Sequence, residues 1–182
     1  MKNLGESIVQ SNNPVLRAHA KTVPVKDITS QKIQKVISDM KEIMATQKDG
    51  VAIAAPQIGE SLCIFVVSDK VLREADADYK SIGKDLVFIN PIITKLSRDK
   101  HDVEEGCLSV RWKYGKVRRS IKASIKAYNE NGELIERGAS GLLAQVFQHE
   151  VDHLNGILFI DTATDVQDIP PEELAKEEGG AK

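Results

Sequence analysis

The five residues His-Glu-Val-Asp-His at positions 149–153 carry the strongest chemical signal in the sequence. Four residues on a helix make about one turn, so His149 and His153 would project from one face and can bind a single metal ion. Neutral imidazoles are good ligands for zinc and ferrous iron. Glu150 would point about 100° away from the first histidine, where its carboxylate can take a proton from a water beside the metal. The pattern therefore indicates a metal-dependent hydrolase.

The simpler alternative is a helix with two core histidines and a capping glutamate. The chain has only four histidines, and two of them fall in this spacing. Residues 140–155 otherwise carry apolar side chains around most of the helix circumference, which predicts a buried helix. Imidazoles and a carboxylate buried there without partners would each carry a desolvation cost. A metal site accounts for them better.

A catalytic site of this type needs a third protein ligand and one open position. Metzincin proteases use a histidine six residues after the second one, but here the glycine of that pattern (Gly156) is followed by Phe159. Glu172 and Glu173 follow two prolines in a polar stretch, a poor setting for a buried ligand. Cys107 is the most suggestive upstream candidate, because a thiolate binds divalent metals tightly and the preceding glycine allows close backbone approach.

Three motifs, taken in order, resemble those of peptide deformylases. Glu105–Ser109 reads EGCLS, and about forty residues later Gln148–His153 reads QHEVDH. Upstream, Gly50–Gln57 reads GVAIAAPQ and is similar to the family motif GxGLAAxQ. Asn13–Arg17 also resembles the family's opening segment. The resemblance covers about residues 8–160 and is far more specific than the histidine motif alone.

The resemblance implies that Cys107, His149 and His153 bind one divalent metal ion and that Glu150 carries the proton. The metal implied is ferrous iron, with Zn²⁺, Ni²⁺ or Co²⁺ as substitutes. The implied reaction is hydrolytic removal of the formyl group from the N-terminal formyl-methionine of nascent proteins. The implied partners are N-formylmethionyl peptides and, transiently, the ribosome.

The remaining site residues are also implied by resemblance. The Gln57 side chain and the Leu108 backbone N–H would stabilise the oxyanion of the transition state. Two positions depart from the family: Ala52 replaces a usual glycine, and Gln145 stands where relatives tend to have an apolar pocket residue. A Cβ at position 52 interferes if the backbone there adopts a positive φ. The expected substrate contacts are Val51, Ala52, Glu105 and Gly106.

Two other functions stay open at this point. An endopeptidase with the same histidine motif would need neither Cys107 nor Gln57. A non-catalytic relative, acting as a metal-bound interaction or structural domain, would have diverged at Ala52 and Gln145. Against the second function, every residue with an implied chemical role is present.

The elements around these motifs predict an α+β fold in which antiparallel sheets pack around a central buried helix that carries the histidine motif. Ser30 is a plausible N-cap, Asn90-Pro91 is expected to end a strand, and Asn131-Gly132 to form a hairpin turn. Cys63 is expected to be a buried structural cysteine. In chain order, we expect an amphipathic helix over 30–47, strands over 62–67, 86–89 and 121–128, the buried helix over 140–155, and a short strand over 157–160.

Length and charge predict one catalytic domain, residues 1–164, and a weakly ordered acidic tail, residues 165–182. Residues 1–160 carry 23 basic and 20 acidic side chains, whereas residues 161–182 carry two and seven. This balance does not match a duplex-binding protein. The basic stretch 111–126, with seven Arg and Lys residues and no acid, is expected to be a solvated face.

The sequence also gives expectations about location and partners. Its first residues have no apolar core long enough for a signal peptide, and apolar runs such as Leu62–Val67 are far shorter than a membrane span. The two cysteines, without a secretory signal, do not suggest a disulfide scaffold. We therefore expect a cytoplasmic monomer with no membrane and no specific nucleic-acid partner.

Overall fold

Two antiparallel sheets pack around a helix in the computed structural model, which describes residues 8–47, 50–75 and 79–170. The α+β class predicted from the sequence is confirmed. No helix in these described ranges is long and apolar enough to cross a membrane. The helices are α1 (Gln31–Thr46), α2 (Asp69–Ala75) and α3 (Gly141–Leu154). The strands are β1 (Ala52–Ala54), β2 (Ile64–Val67), β3 (Leu86–Leu96), β4 (Lys100–Gly106), β5 (Lys113–Ser120), β6 (Lys122–Tyr128), β7 (Leu134–Ser140) and β8 (Thr164–Asp168).

The two sheets differ in size and in what they hold. The larger one has the strand order β1-β2-β3-β6-β7, and the smaller one has the order β4-β5-β8. The helix predicted over 30–47 is α1, where the Ser30 side chain accepts a hydrogen bond from the Ile33 amide. The hairpin predicted at Asn131-Gly132 joins β6 to β7, and Gly132 has a φ of 80°. Local patterning was therefore sufficient for these elements.

The central helix α3 lies between the sheets and contacts strands of both. Its apolar side faces a cluster in which the rings of Phe65 and Phe88 stack at 4.7 Å and Phe147 meets Phe88 edge-on at 5.1 Å. All three phenylalanines are fully buried. Because the helix is held on several sides, the side chains that it carries are fixed in position.

The end of α3 depends on a glycine. Gly156 follows the last turn with a φ of 76°, and a Cβ there would lie 2.6 Å from the backbone oxygen of Arg17. Glycine is thus required twice, for the left-handed conformation and for the close approach of the N-terminal segment.

Replacing Gly156 with alanine should lower the free energy of unfolding by at least about 1 kcal/mol more than the same change at Gly59. Gly59 has a φ of 87°, but a Cβ there meets no atom of the described residues within 4 Å. The Gly59 variant therefore reports the backbone strain alone, about 1–2 kcal/mol. Urea unfolding of both variants measures the difference. Equal decreases in the free energy of unfolding would show that the N-terminal segment around Arg17 can move away from the new Cβ without destabilising the fold.

Two predicted element boundaries were wrong. The strand expected to end at Asn90-Pro91 continues to Leu96, with a register shift between Ile89 and Ile92. The chain passes the proline because Asn90 adopts a φ of 51°, and its side-chain amide pairs with both backbone groups of Val23, at 2.8 and 2.7 Å. Proline has no backbone N–H to donate to the neighbouring strand, and the register shift lets the strand continue past it without that hydrogen bond.

The second wrong boundary lies after α3. The short strand predicted over 157–160 is instead a 3₁₀ turn, Phe159–Asp161. The Asp161 carboxylate accepts a hydrogen bond of 2.9 Å from the Leu158 amide and so caps the turn. A run of four apolar residues does not by itself distinguish a strand from a buried turn.

The proposed boundary between catalytic domain and tail meets a strand in the structure. Thr164 is the first residue of β8, and residues 164–168 pair with β5. Asp168 also forms an ion pair with Lys113 at 2.6 Å. Residues 171–182 of the proposed tail lie outside the described part of the chain.

Candidate active site

The structure brings the three predicted metal ligands together. Cys107 follows the end of β4, while His149 and His153 lie one turn apart on α3. One ligand atom from each residue lies within 4.8 Å of the others, and Cys107 Sγ is 3.2 Å from His153 Nε2. Sulfur and two imidazole nitrogens form a donor set that suits zinc or ferrous iron.

Glu105 orients the first histidine. Its carboxylate lies 2.8 Å from His149 Nδ1, which leaves Nε2 as the ring atom available to a metal. Glu105 was expected to contact substrate, but its carboxylate is 2% exposed and bound to His149 and Arg119. Burial opposes its ionisation, yet hydrogen bonds from His149 and Arg119 outweigh this and lower the Glu105 pKa to about 2. Glu105 is therefore a buried anion that holds the Nδ1 side of His149 in place.

Arg119 is a site residue that the sequence analysis missed. Its guanidinium binds both oxygens of Glu105, at 2.8 and 3.0 Å, and Asp152 at 2.6 Å. It was included in a stretch expected to be solvated, but it is 8% exposed. In a strand, residues two apart share a face, and buried Val117 lies two positions before it. This alternation along the strand was the sequence signal that could have predicted the burial of Arg119.

Replacing Arg119 with lysine should lower the free energy of unfolding by about 1.5–3 kcal/mol, because a point charge cannot reproduce the forked contacts to two carboxylates. The matched control is Arg118→Lys, since Arg118 pairs with Asp102 at 3.2 Å on the exposed side of the same strand. That change should stay within about 0.5 kcal/mol. Urea unfolding compares them, and indistinguishable values would make the buried pair energetically neutral.

The Cys107 thiol is prepared to bind a cation. Burial disfavours its ionised form, but the neighbouring imidazoles of His153 and His149 outweigh this and lower the Cys107 pKa to about 5. Burial also works against a charged His149, yet hydrogen bonds with Cys107 and Glu105 raise the His149 pKa well above its usual value. The two imidazoles therefore favour the thiolate form of Cys107.

Glu150 has the environment of a general base. The residue is 4% exposed, and its Oε2 atom has no hydrogen-bond partner among the described residues. Burial is the largest influence and raises the Glu150 pKa, although the imidazoles of His149 and His153 act in the opposite direction. A buried carboxylate oxygen without a partner, beside a cleft, is costly unless a bound species uses it.

Gln57 and Leu108 lie close to Cys107. The Gln57 side-chain oxygen accepts a hydrogen bond of 2.7 Å from the Ala54 amide, which fixes the orientation of the amide group. Its Nε2 atom then lies 3.6 Å from Cys107 Sγ and faces the site. Leu108 is buried and lines the same cleft. A fixed N–H donor beside the ligands can stabilise developing negative charge.

A cleft of about 230 Å³ joins these residues, with Glu150, His149 and Cys107 among its lining. Val51 and Ala52 form part of its wall. Ala52 lies in β1 opposite Val67 and is absent from the described residues with positive φ, so its Cβ creates no backbone strain. The departure from glycine at this position is compatible with the fold.

The opposite wall combines α3 with β4. Gln145 donates a hydrogen bond of 2.8 Å from its Nε2 to the Glu104 carbonyl and so ties the helix to the strand. Gly106 lines the cleft at the end of β4, where a Cβ would lie 2.7 Å from the Tyr114 ring. A side chain at position 106 would therefore have to displace the aromatic ring.

The fold carries a Cys-His-His cluster that could hold a metal ion, on a buried helix and an adjacent strand end, and this combination is typical of a metal-dependent hydrolase. The polypeptide deformylase family model matches residues 6–168. The chain belongs to that family, and it is therefore an enzyme that removes a formyl group by metal-dependent hydrolysis.

Individual relatives agree with this assignment. The chain is 45% identical to the peptide deformylase of Halothermothrix orenii over 150 residues, which cover 82% of this chain and 87% of that protein. The crystal structure of the Thermotoga maritima peptide deformylase aligns with a TM-score of 0.74 and 36% identity, over 86% and 96% of the two chains. A Met-Ala-Ser-bound class I type b peptide deformylase from Acinetobacter baumannii aligns with a TM-score of 0.75 and 32% identity, over 85% and 96%.

Proposed function

We propose that this chain deformylates the N-terminal formyl-methionine of newly made proteins with Cys107, His149 and His153 as metal ligands and Glu150 as the proton carrier. One observation carries the proposal. The Cys107, His149 and His153 ligand atoms lie within 4.8 Å of one another, beside a buried Glu150 oxygen that has no partner among the described residues. A metal site with a purely structural role would not need a buried, unpaired carboxylate oxygen beside it.

The donor chemistry supports a resident divalent cation. Glu105 occupies Nδ1 of His149, and the lowered Cys107 pKa provides a thiolate, so both residues are prepared for ligation. When bound, the cation supplies Lewis-acid chemistry, which acidifies water and polarises a carbonyl oxygen. We propose Fe²⁺ as the native ion, with Zn²⁺, Ni²⁺ or Co²⁺ as substitutes, because a soft thiolate and two imidazoles accept all of them.

Glu150 performs the proton transfers in this proposal. It takes a proton from the attacking water and then donates that proton to the departing amine. Its burial keeps the carboxylate poorly solvated and raises its pKa, so it is a better base than an exposed glutamate. Water attack on the formyl carbon releases formate and leaves a free N-terminal amine.

Gln57 and Leu108 stabilise the negative charge that develops on the formyl oxygen. The Gln57 Nε2 donor is preorganised by the hydrogen bond between its Oε1 and the Ala54 amide. The Leu108 backbone N–H is the second donor. Removing one such donor typically costs about 10²–10³ in rate. Val51, Ala52 and Gly106, which line the cleft, are the proposed substrate contacts, whereas Glu105 acts through His149.

We propose that the enzyme acts on formylated nascent proteins in the cytoplasm, in transient contact with the ribosome. We propose that it works as a monomer. Neither a membrane nor a specific nucleic acid is required for the reaction.

Hydrolysis of formyl-Met-Ala-Ser by the metal-loaded protein tests the function. The matched controls are acetyl-Met-Ala-Ser and an unformylated peptide with internal bonds only. We expect formate release from the first peptide and no cleavage of the other two. Cleavage of the internal bonds would instead identify an endopeptidase, and inactivity on all three peptides would indicate a non-catalytic relative.

A further inference from the structure

Trp112 occupies a backbone position that normally belongs to glycine. The Lys113 amide donates a hydrogen bond of 3.3 Å to the Val110 carbonyl and closes a four-residue turn. Trp112 is the third residue of this turn and has a φ of 65°. A turn with positive φ at its third position only is of type II, where glycine or asparagine is strongly preferred. A bulky side chain there is a genuine outlier.

Contacts with the end of β8 hold the strained turn in place. The Ile169 amide donates a hydrogen bond of 2.7 Å to the Trp112 carbonyl, and Lys113 forms an ion pair with Asp168 at 2.6 Å. These contacts tie the turn to the end of β8 and to the residue that follows it. Strain of this kind persists only where the surroundings over-determine it, and it concentrates at binding sites.

Core packing does not account for the indole ring. Trp112 is 38% exposed, and it lines the cleft that contains Cys107 and Glu150. The Arg111 guanidinium carbon lies 5.4 Å from the ring centroid and supports the ring through a cation–π contact. Arg111 is itself held by Gln47 at 2.5 Å. The ring is therefore held in place at the wall of the catalytic cleft.

We propose that Trp112, supported by Arg111, forms a subsite for a large apolar or aromatic side chain that follows the formyl-methionine in the substrate. The inference rests on the proposed deformylase function, because it takes the formylated peptide as the occupant of the cleft. An indole ring in the wall of this cleft can stack against the later residues of a peptide that enters it. Glycine would fit this turn without strain, so the tryptophan must contribute something other than the turn.

Two variants separate the ring from the backbone. Trp112→Ala removes the ring and keeps a Cβ at positive φ, whereas Trp112→Gly also relieves the strain. Both should raise KM for formyl-Met-Phe-Ser and formyl-Met-Ala-Phe about three- to tenfold, the value of one aromatic pair, with kcat unchanged. KM for formyl-Met-Ala-Ser should change less than about twofold. The control Ile92→Ala removes an apolar side chain that is 65% exposed on β3, and it should leave all three values unchanged.

Thermal unfolding distinguishes recognition from structure. Trp112→Gly should unfold at the same temperature as the parent or higher, because it loses strain and little buried area. A lower midpoint together with equal KM increases for all three peptides would make the ring a structural element and overturn the proposal. Unchanged KM values for the two phenylalanine peptides would overturn it as well.

Fluorescence gives a readout independent of turnover, since Trp112 is the only tryptophan in the chain. Titration with the unformylated peptides Met-Phe-Ser and Met-Ala-Phe should change its emission at lower concentration than Met-Ala-Ser. If the emission changes in this order but no peptide is deformylated, the subsite is supported and the proposed function is rejected. Deformylation without an emission change for any peptide would reject the subsite alone.

Discussion

The Glu150→Gln variant should retain its metal, and its kcat on formyl-Met-Ala-Ser should fall about 10²–10⁴-fold. This is the range expected for loss of a general acid–base group. The amide preserves the shape of the side chain but cannot accept the proton. The buried position strengthens the expectation, because Glu150 is 4% exposed and bulk solvent is poorly placed to take over its task. The metal should stay because the three ligand atoms of Cys107, His149 and His153 come from other residues.

Metal analysis and steady-state kinetics on the same preparation test this outcome. The matched control is Glu60→Gln, which makes the same chemical change at an exposed residue after the turn at Gly59. It should keep both metal and rate. Loss of the metal together with the activity in Glu150→Gln would show that the glutamate maintains the ligand geometry. Full activity in that variant would assign proton transfer to another group.

The α3 half of the site could be predicted because its geometry is local. His149 and His153 share a face for the sole reason that a helix turns once in about four residues. The apolar surroundings that predict burial of the helix are likewise adjacent in sequence. Propensity and periodicity contain this information before any tertiary contact is known.

The contribution of Cys107 was different, since nothing in the spacing between β4 and α3 dictates that they meet. The residue was chosen among upstream candidates by its chemistry, and its ligand role came from resemblance to a family. The burial of Arg119 was not predicted for a related reason. Alternation along β5 shows two faces, but which face is covered depends on where α3 and Glu105 lie. A charge inside the fold is predictable only when its partners are known.

Strand ends were the least predictable local features. Asn90-Pro91 carries a strong turn signal, yet the side chain of Asn90 pairs with the distant Val23 and allows β3 to continue. Strand β8 was missed because its five residues are all exposed and carry no alternating pattern. Its pairing with β5 is held by backbone hydrogen bonds and by ion pairs such as Lys113 with Asp168.

Cys107→Ser should weaken metal affinity by more than the roughly 10–100-fold that loss of an outer-shell partner costs. Serine stays protonated at neutral pH and is a weak ligand, whereas the Cys107 pKa of about 5 gives a thiolate. The protein should therefore lose metal during dialysis and lose deformylation with it. Because the histidines remain, the variant should still bind some metal when it is supplied in excess.

The second cysteine provides the matched control. Cys63 is partly buried next to β2, and burial raises its pKa to about 11, so it is a neutral thiol at physiological pH. Cys63→Ser should keep its metal content, although it can lose stability because a hydroxyl replaces a partly buried sulfur. Thiol titration confirms which sulfur was removed, and metal analysis after dialysis compares the two variants.

The comparison of Cys107 with Cys63 also decides which hydrolase chemistry the site supports. If Cys107→Ser binds metal as well as the parent and still deformylates, the cysteine is not a ligand. The third ligand must then be another residue near His149 and His153, and Glu105 is already engaged with Arg119. If metal and deformylation are lost together and only in Cys107→Ser, the thiolate completes the ligand set. That outcome separates this chain from histidine-motif endopeptidases, which bind their metal without a cysteine ligand.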